Sequence, residues 1–293
     1  MQLVGFPVVA GIVLLAFVAN AKKSAHEKLN NPIRMASFAF SLALFGYTTW
    51  MFFEVFASID PENGIIFNDY KLYDSYEWFP ALGIHWTVGL DALSFPMVWL
   101  TTFLLPVTII ATWHEKNGAT YFPTLLLMGG ALIGVFVSLD LFMFYVFWEL
   151  TLIPMFFLIL NWGGKDRKYA SQKFFIYTFT ASVVMLLGLV TLYLMQPDQI
   201  GTGGKYGTMT GRTFDIPTLV EAATNANMDG WYMGESMQKV LFVMLMLGFL
   251  VKLLRFHSTL GCLMRTFKPQ PVVRCCLLVS CSKWVPTECS DCH

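Results

Sequence analysis

Two ionisable side chains lie deep inside apolar stretches of this sequence. Glu149 lies in the middle of LFMFYVFWELTLIPMFFLIL, and Lys252 lies within VLFVMLMLGFLVKL. A charged side chain at the centre of a bilayer costs about 2.5 to 3.5 kcal/mol on insertion scales, so it needs a partner or a function. Opposite charges on two separate apolar segments favour a path for protons or cations. The alternative for Glu149 is a hydrogen bond between helices that serves packing alone.

Pro154 follows Glu149 by five residues and is expected to loosen the backbone beside it. Proline has no N–H, so the Leu150 carbonyl loses its helical donor. We therefore predict an opened helical turn close to the carboxylate. Structural or interfacial roles are predicted for three other acidic residues, which lie near span ends or in a tight turn: Glu54, Asp91 and Asp140.

The cysteine-rich end of the chain, CSKWVPTECSDCH, is a second candidate for chemistry. Its zinc-binding residue types are Cys281, Cys289, Cys292 and His293, yet no cysteine precedes Cys262. The spacing supplies only one side of a paired zinc knuckle, so we predict no metal site. A disulfide framework is disfavoured too, because the charge pattern described below places this end in the reducing cytoplasm.

The composition is typical of a membrane protein. The 293 residues are 56% hydrophobic and 13% charged, with a formal net charge of zero, which argues against nucleic-acid binding and against an ordinary soluble domain. Roughly 20 mostly apolar residues cross a bilayer as a helix, and seven segments qualify. They are approximately Leu3–Asn20, Met35–Ala57, Leu90–Trp113, Tyr121–Leu139, Leu141–Trp162, Phe174–Met195 and the shorter Val240–Leu254. We therefore predict an all-α polytopic membrane protein with about seven transmembrane helices.

The basic residues predict which side of the membrane each connection faces. Nine of them lie in the connections after spans 1, 3 and 5: Lys22, Lys23, Lys28, Arg34, Lys116, Lys165, Arg167, Lys168 and Lys173. The connections after spans 2, 4 and 6 have fewer basic residues and most of the loop carboxylates. Because Lys and Arg concentrate in cytoplasmic loops, the N-terminus is predicted to lie outside. The first span lacks a preceding basic region, so we interpret it as a retained helix and not a signal peptide.

The two longer outer connections carry weaker signals. Residues 59–89 are rich in Tyr and Trp, which predicts anchoring at the headgroup boundary. The segment GTGGKYGTMTG follows a membrane span, so a flexible linker is favoured over a phosphate-binding loop. Asp215 is a plausible N-cap and Pro217 would lie in the first turn, so DIPTLVEAATNA predicts a short surface helix.

Four segments of the sequence resemble one family. They are FYVFWELTLIPMFFLIL (144–160), GGKDRKYASQKFFIYT (163–178), VGLDALSFPMVWLTTFLLP (88–106) and GFLVKL (248–253). They are similar to chain M of the proton-translocating NADH:quinone oxidoreductase, respiratory complex I, whose mitochondrial counterpart is subunit 4. The resemblance runs from about Met1 to Leu253, and FWELxLIPM is its most specific part.

This resemblance implies a fold and a mechanism. Full-length members are antiporter-like subunits built from inverted repeats, with fourteen membrane helices, of which this chain would hold the N-terminal half. Glu149 corresponds to the family's buried glutamate on helix 5, and Lys252 to its lysine on the discontinuous helix 7. The resemblance thus assigns proton translocation, coupled to quinone reduction elsewhere in the complex, to these two residues.

The same resemblance implies partners and location. The partners are the other membrane-arm subunits of complex I and the lipid bilayer, with no nucleic acid. No cofactor is expected in this chain, because NADH, FMN, iron–sulfur clusters and quinone are handled by other subunits. The expected location is the bacterial inner membrane, as a multi-pass protein.

The family pattern stops abruptly after Leu253, and a shifted reading frame explains why. Combining the last base of each codon with the first two of the next permits PAVPFHTWLPDAHVQAP, the family's continuation. Some positions leave no choice: Trp284 followed by Val285 forces Gly, and Cys275 followed by Cys276 forces Leu. We predict three parts: 1–113 with helices 1–3, 114–253 with helices 4–7 of the first repeat, and 254–293 as an unstructured out-of-frame tail.

Two other functions stay open from the sequence. A related cation/proton antiporter or membrane hydrogenase subunit shares the helix 5 glutamate and helix 7 lysine. A truncated membrane fragment without transport activity is the alternative from another class.

Overall fold

The computed structural model describes residues 2–20, 26–57, 71–79, 82–91, 94–115, 117–164, 166–196, 202–204, 207–209, 212–224 and 235–266. The helices in these ranges are α1 (Gln2–Asn20), α2 (His26–Ala57), α3 (Ser94–Ala111), α4 (Gly118–Val137), α5 (Leu141–Leu150), α6 (Leu152–Trp162), α7 (Arg167–Leu194), α8 (Ile216–Thr224) and α9 (Glu235–Thr266). The strands are β1 (Lys71–Phe79), β2 (Ile84–Leu90), β3 (Thr202–Gly204) and β4 (Gly207–Met209).

The helices coincide with the predicted membrane segments. Four stretches are long and apolar enough to cross a bilayer: α3, α4, α7 and the Leu141–Trp162 stretch that contains α5 and α6. The remaining three predicted spans fall on α1, α2 and α9. The mostly helical membrane fold predicted from the apolar segments is therefore confirmed.

The bundle has an apolar exterior and a tightly packed interior. α4 is its central helix and contacts α1, α2, α3, α5 and α6, while α7 packs between α6 and α9. Large apolar side chains point outward, as Trp50, Ile176 and Phe242 do, whereas Thr48 and Thr102 are buried and hydrogen-bonded to each other at 2.9 Å. Lipid solvates apolar side chains, so close packing and hydrogen bonds between helices stabilise such a bundle.

A close helix contact positions α9, which carries Lys252. A Cβ at Gly248 would lie 2.7 Å from the Met185 Cβ of α7, and a Cβ at Gly188 of α7 would lie 3.3 Å from the Met244 Cβ of α9. The two glycines thus let α7 and α9 approach closely, as small residues do between membrane helices. The position of Lys252 along the bundle depends on this contact.

We expect Gly248→Ala to lower the free energy of unfolding by about 1 to 3 kcal/mol, because the added methyl overpacks a helix interface. Unfolding of the detergent-solubilised protein, followed by circular dichroism, measures this change. Gly46→Ala is the matched control, since nothing lies within 4 Å of a Cβ there. That control should be neutral or stabilising by up to about 1 kcal/mol. Equal stability of both variants would contradict a close α7–α9 contact.

Strand pairing occurs in two connections where no strand was predicted. β1 and β2 pair antiparallel within the aromatic-rich region, and β3 pairs with β4 in the segment predicted as a flexible linker. β2 alternates apolar and polar side chains from Ile84 to Val88, as strands do. Some aromatic rings of β1 and β2 are exposed and others pack against the bundle. Trp78 is 45% exposed, whereas Trp86 makes an edge contact with the Phe147 ring at 5.9 Å.

Three connections meet at one end of the bundle. The Leu139 N–H donates to the Thr87 carbonyl at 3.0 Å, and the Phe214 N–H donates to the Gly83 carbonyl at 3.5 Å. Gly83 has a φ of 62°, and a Cβ there would overlap the Arg212 carbonyl, so this turn requires glycine. The three connections that follow the second, fourth and sixth predicted spans are therefore on the same end, as alternating spans require.

Two of the acidic residues with predicted structural roles, Asp91 and Asp140, cap helices. Asp140 caps α5 by accepting from the Phe142 and Met143 N–H groups, and the Asp91 carboxylate accepts from the Ser94 N–H. Asp215 accepts from the Thr218 N–H at 3.0 Å, which confirms it as the N-cap of the short helix α8. Glu54 lies near the end of α2.

α9 continues past Leu253 to Thr266. The first part of the segment predicted to be unstructured is therefore helical. Its Leu, Met and Arg residues have good helix propensity, and a preformed helix propagates more readily than a new one starts. The cysteines and histidine of the zinc alternative lie beyond Thr266, outside the described residues, and the shifted reading frame stays a prediction.

Candidate functional site

The fifth predicted span is interrupted beside Glu149. α5 ends at Leu150, α6 begins at Leu152, and Thr151 between them forms a turn. The Thr151 N–H bonds to the Phe147 carbonyl at 3.2 Å, and its hydroxyl donates to the Trp148 carbonyl at 2.8 Å. Pro154 lies three residues beyond the interruption. The opened turn predicted from the proline is thus present.

The Lys252 ammonium binds at this interruption. Its Nζ donates to the Trp148 carbonyl and to the Thr151 hydroxyl, each at 2.9 Å. The same nitrogen lies 3.6 Å from the centroid of the Trp148 indole ring. A carbonyl, a hydroxyl and the face of an aromatic ring all stabilise a cation, so the site is built to hold a positive charge inside the bundle.

Glu149 lies directly beside this cation site. Its Oε1 is buried and, within the described ranges, accepts no hydrogen bond. The carboxyl is close enough to Lys252 for the two charges to interact, and Ser182 of α7 lies beside it. The ammonium nevertheless bonds to Trp148 and Thr151, so the two charges interact through space without a direct salt bridge among the described contacts.

Aromatic rings enclose the cation site on the α5 side. Phe249 of α9 contacts the Trp148 ring edge-on at 5.0 Å, and Phe144 stacks on Trp148 at 5.6 Å. Phe144 and Phe249 are themselves 6.0 Å apart. These rings reduce the access of water, which strengthens the interaction between the two charges.

The structure brings both predicted site residues together and adds three partners. Trp148, Thr151 and Ser182 were absent from the sequence-based site. Thr151 could have been found, because a hydroxyl next to a helix-opening proline can satisfy a freed backbone group. Trp148 and Ser182 had no comparable signal, since their roles depend on how α7 and α9 pack.

The arrangement can hold and move charge. One carboxyl and one ammonium lie within a low-dielectric bundle, each able to bind or release a proton. In the described part of the chain, no group of three or more His, Cys, Asp or Glu side chains could hold a metal ion. Binding and release of a proton by Glu149 and Lys252 is chemistry that this arrangement allows.

Residues 138–258 match the transmembrane family described as NADH:quinone oxidoreductase/Mrp antiporter. This range contains both site residues. The F(420)H(2) dehydrogenase subunit M of Methanosarcina mazei is 39% identical over 194 residues, which cover 65% of this chain and 36% of that protein. The NADH-quinone oxidoreductase subunit M of Rhodobacter capsulatus is 40% identical over 173 residues, which cover 59% and 32%.

Solved structures share the fold. A chain of respiratory complex I from Thermus thermophilus has a TM-score of 0.62 at 22% identity, over 85% of this chain and 42% of that one. A chain of the Mrp complex from Dietzia has a TM-score of 0.55 at 16% identity, over 85% and 23%.

This chain spans about a third of the length of the curated relatives, 36% and 32%. Those relatives carry the names of subunit M, and the family match extends five residues beyond the predicted end of the resemblance at Leu253. The helical bundle, the matched range and the names of these relatives all indicate a membrane subunit of this type. Residues 138–258 therefore form a transmembrane domain of the NADH:quinone oxidoreductase/Mrp antiporter family, and the relatives that this chain resembles are named subunit M.

Proposed function

We propose that this chain is part of a membrane-arm subunit of a proton-pumping NADH:quinone oxidoreductase, and that Glu149 and Lys252 carry protons through it. One observation carries the proposal: the Lys252 ammonium is held on the Trp148 carbonyl and the Thr151 hydroxyl at a helix interruption next to Glu149, whose Oε1 atom is buried. Both residues lie in the range that matches the family.

The electrostatics of such a pair suit the task. At an effective dielectric near 20, separating opposite charges from about 4 to about 10 Å costs roughly 2.5 kcal/mol. Moving one charge across a membrane potential costs about 2.3 kcal/mol per 100 mV. Because the two energies are comparable, movement of Lys252 toward or away from Glu149 can determine when the carboxyl binds a proton against a respiratory potential.

The proposal includes the surroundings of the chain. Other membrane-arm subunits are its partners, and the redox cofactors, NADH, FMN, iron–sulfur clusters and quinone, are bound elsewhere in the complex. The enzyme activity thus belongs to the assembly. We place the subunit in a bacterial inner membrane with its N-terminus outside, on the basis of the nine basic residues in alternate connections.

A cation/proton antiporter is the second candidate. The likeness of the fold to a chain of the Mrp complex favours it, as does the family description. An antiporter would exchange protons for another cation through the same two charges, without an electron donor.

Vesicles that contain the assembled complex distinguish the two functions. With NADH and a quinone, we expect a pH gradient that a protonophore abolishes and that does not require sodium. A pH gradient that forms from a sodium gradient alone, with no electron donor, would instead support the antiporter. Quinone reduction without any pH change, together with no pH response to a sodium gradient, would contradict both.

A further inference from the structure

Asp140 and Asp215 face each other where the outer connections meet. The Leu141 N–H donates to the Phe214 carbonyl at 2.9 Å, and the Ile216 N–H donates to the Leu139 carbonyl at 2.8 Å. These two bonds flank an antiparallel bridge between Asp140 and Asp215. In such a non-hydrogen-bonded pair the Cα atoms are about 4.5 Å apart and the side chains are at their closest.

Both aspartates are fully buried, with 0% of each residue exposed. Like charges at directly opposite positions of an antiparallel pair are destabilising. Burial adds to the cost, because an ionised carboxylate loses its hydration unless it is paired. Two ionised carboxylates are therefore an unfavourable state for this pair.

Both carboxyl oxygens of Asp140 accept hydrogen bonds, whereas one oxygen of Asp215 is left without a donor among the described residues. Asp140 accepts from Phe142 and Met143 N–H at one oxygen and from the His85 N–H, at 3.2 Å, at the other. Asp215 accepts from the Thr218 N–H and hydroxyl at Oδ2 only. Its Oδ1 is buried and accepts no hydrogen bond from any described residue. A proton on Oδ1 would turn this acceptor into a donor, and the bridge places the Asp140 side chain on the same face.

We propose that Asp140 and Asp215 form a proton-binding pair, in which a single proton is shared between the two carboxyl groups. The proton comes from water at this end of the bundle and returns to it. The inference does not depend on the proposed function. The bound proton would link the α4–α5 turn to the segment before α8. It would thus stabilise the first turn of α5, the helix that carries Glu149.

Other charged groups lie around the pair. Burial raises the pKa of Asp215, and the neighbouring His85 of β2 offsets part of that rise. The Arg212 Nε donates to the Gln196 carbonyl at 3.2 Å. Burial, followed by a smaller effect from the Asp215 charge, raises the pKa of Asp140 from 3.8 to about 6, and burial also raises the pKa of Asp215.

The direction of the pH effect follows from these shifts. Because the folded state binds the proton more tightly than the unfolded chain does, protonation stabilises the fold. This stabilisation is fully present below pH 3.8 and is lost as the pH rises through about 6. The two carboxyls titrate as a pair, so the midpoint belongs to both.

Infrared spectroscopy of the full chain in lipid nanodiscs tests the pair. The carbonyl band of a protonated carboxylic acid should titrate with a midpoint near pH 6. Asp215→Asn should lower the Asp140 midpoint, because it removes the like charge and its amide can donate to Asp140. Asp140→Asn should lower the Asp215 midpoint for the same reason. The control is Asp166→Asn, an exposed residue before α7, which should leave the band unchanged.

Thr218→Val keeps the shape of its side chain and removes the hydroxyl donor to Asp215. It should raise the midpoint, because ionised Asp215 loses a hydrogen bond. This variant and the unmodified chain keep the test decisive if an Asn variant fails to fold. Absence of a band that titrates near pH 6 would show that the pair binds no proton there, and a band unchanged in Asp215→Asn would show two independent carboxyls. Either result would overturn the proposal.

Discussion

Lys252→Met is expected to reduce proton pumping by the assembled complex on the order of tenfold to a hundredfold. The substitution removes the cation that binds the Trp148 carbonyl and the Thr151 hydroxyl and that interacts with the Glu149 carboxyl. Losing roughly 2.5 kcal/mol of charge coupling corresponds to a rate change of this size. Proton uptake by sealed vesicles, with NADH and a quinone as substrates, measures it.

Two further variants separate charge from packing. Lys252→Arg keeps a positive charge and should retain part of the pumping, although its planar group fits the two acceptors less well. Lys239→Met removes an exposed lysine near the start of the same helix and should leave pumping unchanged. If Lys252→Met pumps as well as Lys239→Met, the ammonium serves packing alone.

Glu149→Gln is expected to have a similarly large effect, while the complex still assembles. The amide keeps the size of the side chain and removes the group that binds and releases a proton. Quinone reductase activity should fall together with pumping where the two remain coupled. Subunit content after purification verifies assembly, and the rates of both reactions are then compared with the unmodified complex.

Glu149→Asp is the conservative partner of that variant. It keeps an ionisable carboxyl but withdraws it by one methylene from Ser182 and Lys252. We expect an intermediate rate, above that of Glu149→Gln. Equal loss in the two variants would indicate that the length of the side chain matters and not its charge.

The sequence predicted the helices well because a bilayer imposes a length and an apolar composition on each span. It also predicted the opened turn, since the missing N–H of Pro154 is a local property. Lys252 binding to the Trp148 carbonyl was not predictable, because that contact depends on the close approach of α7 and α9 at Gly248 and Met185.

The strands and the aspartate pair were also not predicted from the sequence. The alternation in β2 was visible in the sequence, but the aromatic residues of this connection also fit a membrane boundary, so the strand was not predicted. Asp140 and Asp215 were each predictable as local caps. Their pairing joins residues 75 positions apart and requires three connections to meet at one end of the bundle.

The proton-to-electron ratio of the assembled Glu149→Gln complex tests the central claim most directly. It is obtained by measuring proton uptake and quinone reduction in the same vesicle preparation. If Glu149 carries protons, the ratio falls, or both reactions slow together in a complex of normal subunit content. A normal ratio at normal turnover in that complex would show that Glu149 only packs between helices.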